Sequence, residues 1–379
     1  MEKAKKLRVL TTGGGTAGHI YPIIATVAEL QTLAATQGVE LEVRFLGVHG
    51  SFKEFLEQNE IKVQKIASSK LRRYFSFRNI IDVPKFFWSI LQAILKMYFF
   101  MPNVVFSRGG PGSVPVILAA RFYRIPVVVH DSDAVPGWSS KIGARFADMV
   151  TISFESAAKY FPKTQVVYTG NPVREYLLTE PLSRAKAKGF LGFNIDEPLI
   201  LVLGGSQGAV TINDFILDVL TGLIGKTQVL HQTGRGDYER VLNELGVVSK
   251  NWSEETKSRY KAIDFFEKDM RIALQAADLV ISRSGANHIF EFAAFGKPAI
   301  LIPLPSSVTM SQEANAIEYQ STGGGIIMEQ NNLLPNLFID KIGSLLSDPQ
   351  KLEAMGKSAM VLYKSDAASN LARIILRYI

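Results

Sequence analysis

The sequence predicts an α/β protein built from two doubly wound parallel-sheet domains that face a cleft. Three observations carry this expectation. Short apolar runs alternate with helical patterns; the runs repeatedly end in glycine or serine; and the rhythm breaks once, in the polar stretch from Thr179 to Pro198, before restarting. Strands that alternate with helices in this way call for a parallel sheet covered on both faces. A length of 379 residues suits two or three domains at roughly 150 residues each. The expected division is 1–175 and 176–363, with 364–379 left open between completing the first domain and packing on the second.

The elements follow in order. Leu7–Thr12 reads as the first strand and Tyr21 to about Gln37 as the first helix. Val39–Gly47, Ile61–Ala67, Asn103–Ser107, Ile125–Asp131, Asp148–Ser153 and Gln165–Thr169 read as further strands, with helical patterns at Ser113–Tyr123 and Ser139–Phe146. After the break come Leu199–Leu203, Thr227–Gln232, Lys261–Phe265, Asp278–Ser282 and Ala299–Leu304. The last helical segment, Ala367 to Tyr378, has no domain assigned by its pattern.

Composition narrows the function classes. Hydrophobic residues at 47% and charged residues at 20% exclude wholesale disorder. The absence of cysteine excludes disulfides, thiolate zinc sites and a cysteine nucleophile, and it fits a reducing cytoplasm. The basic start of the chain leads directly into a strand with no apolar signal core, and apolar runs are too short to span a bilayer. The net charge of +7 is uneven: residues 1–175 carry 22 basic and 13 acidic side chains, and the remainder 20 and 22. Zinc-finger spacing, an aromatic RNA-binding signature and a basic heptad helix are all missing, so nucleic acid is not an expected partner.

Three glycine loops follow strands: Gly13-Gly14-Gly15-Thr16-Ala17-Gly18-His19, Arg108-Gly109-Gly110-Pro111-Gly112-Ser113 and Gly204-Gly205-Ser206-Gln207-Gly208-Ala209. Glycine lets a ligand approach the backbone, and the N–H groups of a helix start favour anions. Gly13, Gly15 and Gly18 satisfy the dinucleotide pattern, yet no acid stands at the end of the second strand before Glu54, which argues against a nicotinamide or flavin. The segment Ser282-Arg283-Ser284-Gly285-Ala286-Asn287-His288-Ile289-Phe290-Glu291 reads as a strand end running into a helix. Its N-terminus suits a diphosphate, and Glu291 is placed to accept ribose hydroxyls or simply to face solvent.

Gly14 to His19 with Pro22, Gly170-Asn171-Pro172-Val173-Arg174, Gly204 to Ala209 and Arg283 to Ala286 stand in the order found in the MurG family. These are the bacterial transferases that add N-acetylglucosamine to lipid-linked muramyl-pentapeptide in peptidoglycan synthesis, and the chain resembles them over nearly its whole length. The resemblance implies two Rossmann-like domains of GT-B architecture and an inverting hexosyltransferase that needs no cofactor or metal to bind its donor. It implies UDP-N-acetylglucosamine as donor on the second domain and an undecaprenyl-diphosphate-linked acceptor on the first. Other cell-wall enzymes are implied partners, and the implied location is peripheral, on the cytoplasmic face of the bacterial plasma membrane. Another UDP-sugar enzyme of the same fold, a glycolipid transferase or an epimerase, is the alternative, followed by a non-catalytic nucleotide-binding protein.

Position by position, the resemblance implies that Ser206, Gln207 and Arg174 meet the nucleotide or diphosphate and that the backbone near Phe266 reads the uracil. It makes Arg283, Ser284, Gly285 and the residues Ala286, Asn287, His288, Ile289, Phe290 and Glu291 the phosphate and ribose helix. Gln312 and Asn315 would lie near the sugar, and Thr16, Ala17, Gly18 and His19 at the reacting centre. The family's second glycine is Ala17 here, its Gly-Gly-Tyr loop reads Gly109-Gly110-Pro111, and Asp133 stands where an asparagine is usual. Asp131-Ser132-Asp133 also mimics a metal-binding motif of a different fold.

For the chemistry, His19 is the candidate general base, since a histidine titrates near neutrality; it could equally brace its loop. Asp133 is the second candidate and Glu291 a third. Membrane contact is expected from Arg72 and Arg73 and from a helix beginning near Val83. On it Lys85, Ser89, Gln92 and Lys96 form a polar stripe beside an apolar arc of Phe87, Ile90, Leu91, Ile94, Leu95 and Tyr98.

Overall fold

The computed structural model describes residues 5–67, 78–205, 208–266 and 269–379. The chain forms two compact units: Met1–Arg174 together with Lys364–Ile379, and Glu175–Tyr363. In the first, β1 (Lys6–Thr12) leads into α1 (Ala17–Thr36), β2 (Glu40–Gly47), α2 (Lys53–Gln58) and β3 (Lys62–Lys65). The long α3 (Arg78–Phe100) returns to β4 (Val104–Ser107), followed by α4 (Val114–Phe122) and β5 (Val127–Asp131). Then come α5 (Trp138–Ala144), β6 (Met149–Ile152) and β7 (Gln165–Tyr168).

The seven strands pair in parallel in the order β3-β2-β1-β4-β5-β6-β7. Strands covered on both faces have no polar side, which is why Val127, Val128 and Val129 form an unbroken apolar run and are fully buried. Phe45 and Phe106 fill the layer between sheet and helices, each burial contributing about 1.5–3 kcal/mol.

In the second unit, α6 (Glu175–Leu178) and α7 (Arg184–Phe190) precede β8 (Leu199–Leu203), α8 (Val210–Ile224) and β9 (Gln228–Gln232). Next are α9 (Tyr238–Val248), α10 (Glu254–Ser258), β10 (Tyr260–Ile263), α11 (Met270–Ala276) and β11 (Leu279–Ser282). The unit closes with α12 (Ala286–Ala294), β12 (Ala299–Leu301), α13 (Met310–Ser321), β13 (Gly325–Ile327), α14 (Pro335–Leu346) and α15 (Pro349–Ala359). Its six strands are parallel in the order β10-β9-β8-β11-β12-β13. The fold is the doubly wound α/β architecture expected, in two copies.

Each sheet reverses its strand order once, between β1 and β4 and between β8 and β11. Side by side there, Thr12 pairs with Ser107 and Leu203 with Ser282. Open parallel sheets bind ligands at this point, beyond the carboxyl ends of the strands. The glycine loops occupy these positions.

Several elements differ from the sequence expectation. Helix α1 begins four residues earlier than Tyr21, because Thr16 turns the chain with extended backbone (φ −112°, ψ 156°) and its carbonyl accepts from His19 N and Ile20 N. The polar stretch after Thr179 contains the packed helix α7, not a bare linker. There Lys188 is buried, its Nζ 2.7 Å from Asp278 Oδ2 and donating to Glu197 O at 2.6 Å. Strand β13 was not expected; at three residues it is too short for periodicity to reveal. The final helix, α16 (Ala367–Leu376), packs its buried Leu371, Ala372 and Ile375 into the core of the first unit beside α1.

Helix α3 corrects the expected stripe. Ser89 is fully buried with its hydroxyl donating to Phe86 O, and Gln92 Oε1 accepts the Ala67 N–H at 2.8 Å. The side facing the core carries Ser89, Ala93, Met97 and Phe100. Phe87 is 65% exposed, with Trp88, Leu91, Leu95, Tyr98 and Phe99 also open to solvent. Ile90 is only half-buried. Arg72 and Arg73 lie outside the described residues. No helix among the described residues is long and apolar enough to cross a membrane.

Candidate active site

In the first unit the loop after β1 packs against the loop after β4. Gly110 has a φ of +84°, and a Cβ there would stand 2.9 Å from Gly14 N and 3.2 Å from His19 Nε2. A Cβ on Gly14 would stand 2.8 Å from His19 Nδ1. Glycine at both positions is therefore what gives the imidazole its place. His19 lies in the first turn of α1, half-buried, with Nδ1 2.8 Å from Thr16 Oγ1. Burial, aided by the positive charge of Arg108, pushes its pKa down to about 4, so the ring is neutral at pH 7. A neutral imidazole can take a proton or give one, depending on its tautomer.

Thr16 and Gly18 are exposed and Ala17 is buried against the unit. At the end of β5, Asp131 is buried and its carboxyl is pushed up by desolvation, while its Oδ1 accepts the Asp133 N–H at 2.9 Å. Asp131-Ser132-Asp133 thus closes a tight turn on itself. Asp133 is half-buried at the edge of that turn. No group of three or more His, Asp and Glu side chains capable of holding a metal ion occurs among the described residues. His130 points into the core, with Nδ1 2.9 Å from Thr151 Oγ1 and Nε2 3.2 Å from Ser153 Oγ. Arg174 is also buried in this unit, its guanidinium 4.8 Å over the Tyr21 ring.

In the second unit, Gly205 and Gly208 take φ values of +92° and +80° in the loop after β8. Ser206 and Gln207 between them lie outside the described residues. Gln232, at the end of β9, was not singled out in the sequence. Its Nε2 donates to Gly205 O at 3.2 Å and its Oε1 accepts the Phe266 N–H at 3.0 Å, tying the loops after β8 and β10 together. A glutamine at the carboxyl end of a strand, Gln228–Gln232, was the signal. The Phe266 N–H is therefore already engaged within the protein.

The segment after β11 is braced from behind. Arg283 gives its guanidinium to Ile302 O, Pro303 O and Gln330 Oε1 at 3.0, 3.2 and 2.6 Å. This links β11 to the strand-end carbonyls beyond β12. Ser284 Oγ donates to Gln312 O at 2.6 Å, Asn315 Nδ2 donates to Ser284 O at 3.1 Å, and Gln312 Oε1 accepts the Leu304 N–H at 3.0 Å. Arg283, Ser284, Gln312 and Asn315 thereby fix the start of α12 against α13. Gly285 N-caps α12 with extended backbone, and Ala286, Ile289 and Phe290 bury its inner face. Asn287 and His288 are half-buried, the latter stacked on Phe292 with ring centroids 5.8 Å apart. Glu291 is not a solvent-facing residue; it is 3% exposed.

Comparison with known proteins fits this geometry. The glycosyltransferase family 28 N-terminal domain matches residues 9–152 and its C-terminal domain residues 199–371. A UDP-N-acetylglucosamine--N-acetylmuramyl-(pentapeptide) pyrophosphoryl-undecaprenol N-acetylglucosamine transferase of Bacillus thuringiensis is 35% identical over 89% of this chain and 91% of its own. The corresponding transferase of Clostridium kluyveri is 34% identical over 98% of this chain and 99% of its own. The crystal structure of Acinetobacter baumannii MurG superposes with a TM-score of 0.73 at 26% identity, covering 98% and 99% of the two chains. The UDP-N-acetylglucosamine 2-epimerase of Neisseria meningitidis shares the fold, with a TM-score of 0.69 at 16% identity. The fold and the two glycine-lined switch points are those of a GT-B glycosyltransferase. The chain belongs to glycosyltransferase family 28 and, within it, to the MurG family of N-acetylglucosaminyltransferases.

Proposed function

We propose that this protein transfers N-acetylglucosamine from UDP-N-acetylglucosamine to an undecaprenyl-diphosphate-linked N-acetylmuramyl-pentapeptide, with inversion at the anomeric carbon. The observation that carries the reading is duplication: each sheet has one switch point, and glycine loops flank both. Transfer between a nucleotide diphosphate sugar and a lipid diphosphate sugar asks for two such anion-receiving places. The donor is assigned to the second unit and the acceptor to the first.

In this reading the N–H groups at the start of α12 and in the loop after β8 meet the charge that grows on the departing UDP, preorganised by Arg283, Ser284, Gln312 and Asn315. One such donor is worth on the order of 3 kcal/mol in a transition state. Glu291 accepts the ribose hydroxyls. His19, neutral at pH 7, takes the proton of the acceptor hydroxyl as it attacks; Asp133 is the second candidate for that step. Because the sugar is already activated by its diphosphate, the reaction asks for no redox cofactor.

The reading also places the first unit on the cytoplasmic face of the membrane. The exposed Phe87, Trp88, Leu91 and Leu95 on α3 would enter the headgroup region of an anionic bilayer. A basic excess, 22 against 13 acidic residues in 1–175, would draw the unit there at about 1 kcal/mol per cation near the surface.

A thermal-shift comparison tests the donor class. UDP-N-acetylglucosamine at 100 times its dissociation constant should add roughly 2.7 kcal/mol of stability, with NAD and an oligonucleotide inert. Stabilisation by NAD alone would overturn the reading.

A further inference from the structure

We propose that Arg108 is the anion-binding side chain of the first unit and receives the diphosphate of the lipid-linked acceptor; the identity of that ligand rests on the function proposed above. Among the described residues, four buried side-chain polar atoms have no hydrogen-bond partner, and three of them are Thr12 Oγ1, Arg108 Nε and Arg108 Nη1. Native interiors leave few such atoms, and each asks for a reason. Two of the three belong to the Arg108 guanidinium itself. Thr12 ends β1, Arg108 follows the end of β4, and the Arg108 N–H donates to Thr12 O at 2.9 Å.

Arg108 is 4% exposed, and its other terminal nitrogen makes only long bonds, Nη2 to Gly18 O at 3.3 Å and to Asn171 Oδ1 at 3.4 Å. Gly18 is itself exposed in the first turn of α1. The charge therefore lies one peptide beneath the surface, under the positive end of a 20-residue helix. Three glycines of the two loops flank Arg108. A Cβ on Gly13 would sit 3.5 Å from Arg108 Cβ, and Gly109 and Gly110 hold φ values of +72° and +84°. Burial lowers the Arg108 pKa only to about 10, so it is charged at pH 7. Asp131 and Asp133 act on that charge, but Asp131 is already held by the Asp133 N–H and by Ser140. Two unused donors on a charged guanidinium match the oxygens of a diphosphate.

The test compares two soluble acceptors, one with the sugar on a short-chain prenyl diphosphate and one with the same sugar on an uncharged alkyl chain. Wild type should prefer the diphosphate. Arg108→Gln should lose about tenfold or more of that preference, as expected for a lost charge-assisted bond, while the KM for UDP-N-acetylglucosamine moves by less than roughly twofold. Arg108→Lys, which keeps the charge but not the planar fork, should fall between the two and serves alone if the Gln variant fails to fold. An unchanged preference, or equal loss on both acceptors, overturns the assignment, and a raised donor KM would move the anion to the donor's diphosphate. If wild type transfers to neither acceptor, the proposed function fails instead. In that event inorganic pyrophosphate, added to UDP-saturated protein, still decides on Arg108. A rise in Tm for wild type but not Arg108→Gln supports it; equal rises, or none, overturn it.

Discussion

Thr16 Oγ1 and His19 Nδ1 stand 2.8 Å apart across the first turn of α1. If His19 is the base, Nδ1 must carry the proton and Thr16 must accept it, leaving Nε2 free for the acceptor hydroxyl. His19→Ala should then lower kcat by about 10²–10⁴-fold with the donor KM little changed. Thr16→Val should lower kcat less, by freeing the ring to adopt the other tautomer. Steady-state kinetics decide: a kcat within a few per cent of wild type for His19→Ala would return the base to Asp133.

Glu291→Gln and Glu291→Ala should both weaken UDP-N-acetylglucosamine binding, since a hydrogen bond to a charged group is worth about 1.5–3 kcal/mol. The Ala variant should also lose stability, because the residue is buried. Calorimetric titration of the Gln variant separates the two effects, and an unchanged donor affinity would remove Glu291 from the ribose.

Two histidines should make the fold acid-sensitive. Burial pushes His231 down to about 3, between Tyr260 OH at 2.9 Å and Asn213 Oδ1 at 3.0 Å, and pushes His19 to about 4. Both are neutral when folded and become protonated when unfolded below about pH 6.5. Their stabilising contribution is therefore complete above that pH and declines as pH falls towards 4 and 3. Each steepens the dependence by up to about 1.4 kcal/mol per pH unit. Chemical denaturation between pH 7 and 4 should show the decline, with a shallower slope for His231→Gln. Identical slopes would mean that His231 titrates normally.

The outer face of α3 should bind lipid. Phe87→Ser/Leu91→Ser should abolish flotation with anionic vesicles and leave Tm unchanged, since both side chains are exposed. Arg72→Glu/Arg73→Glu should weaken flotation, and salt should weaken it for wild type. Ile90→Ser should instead lower Tm. Equal flotation of wild type and the Phe87/Leu91 variant would remove the membrane from the account.

The strands were readable because a parallel strand buried on both faces has no polar face to interrupt it; Leu199–Leu203 has the same bounds in sequence and structure. The glycine loops were readable because backbone approach needs that residue. What the sequence hid is which polar group meets which carbonyl. Arg283 reads as a cation for a diphosphate, yet two strand-end carbonyls and the side-chain oxygen of Gln330 hold it. Ser89 reads as solvent-facing, yet its hydroxyl satisfies its own helix and so can be buried. Arg108 passed as a loop residue because nothing in its spacing shows two donors left over beneath α1.

The most direct measurement is incubation with labelled UDP-N-acetylglucosamine and undecaprenyl-diphosphate-linked N-acetylmuramyl-pentapeptide in detergent micelles. The account predicts one labelled N-acetylglucosamine on each acceptor, β-linked, with one UDP released per transfer. Conversion of the donor to an epimer with no labelled lipid, or UDP release without glycolipid, would contradict it.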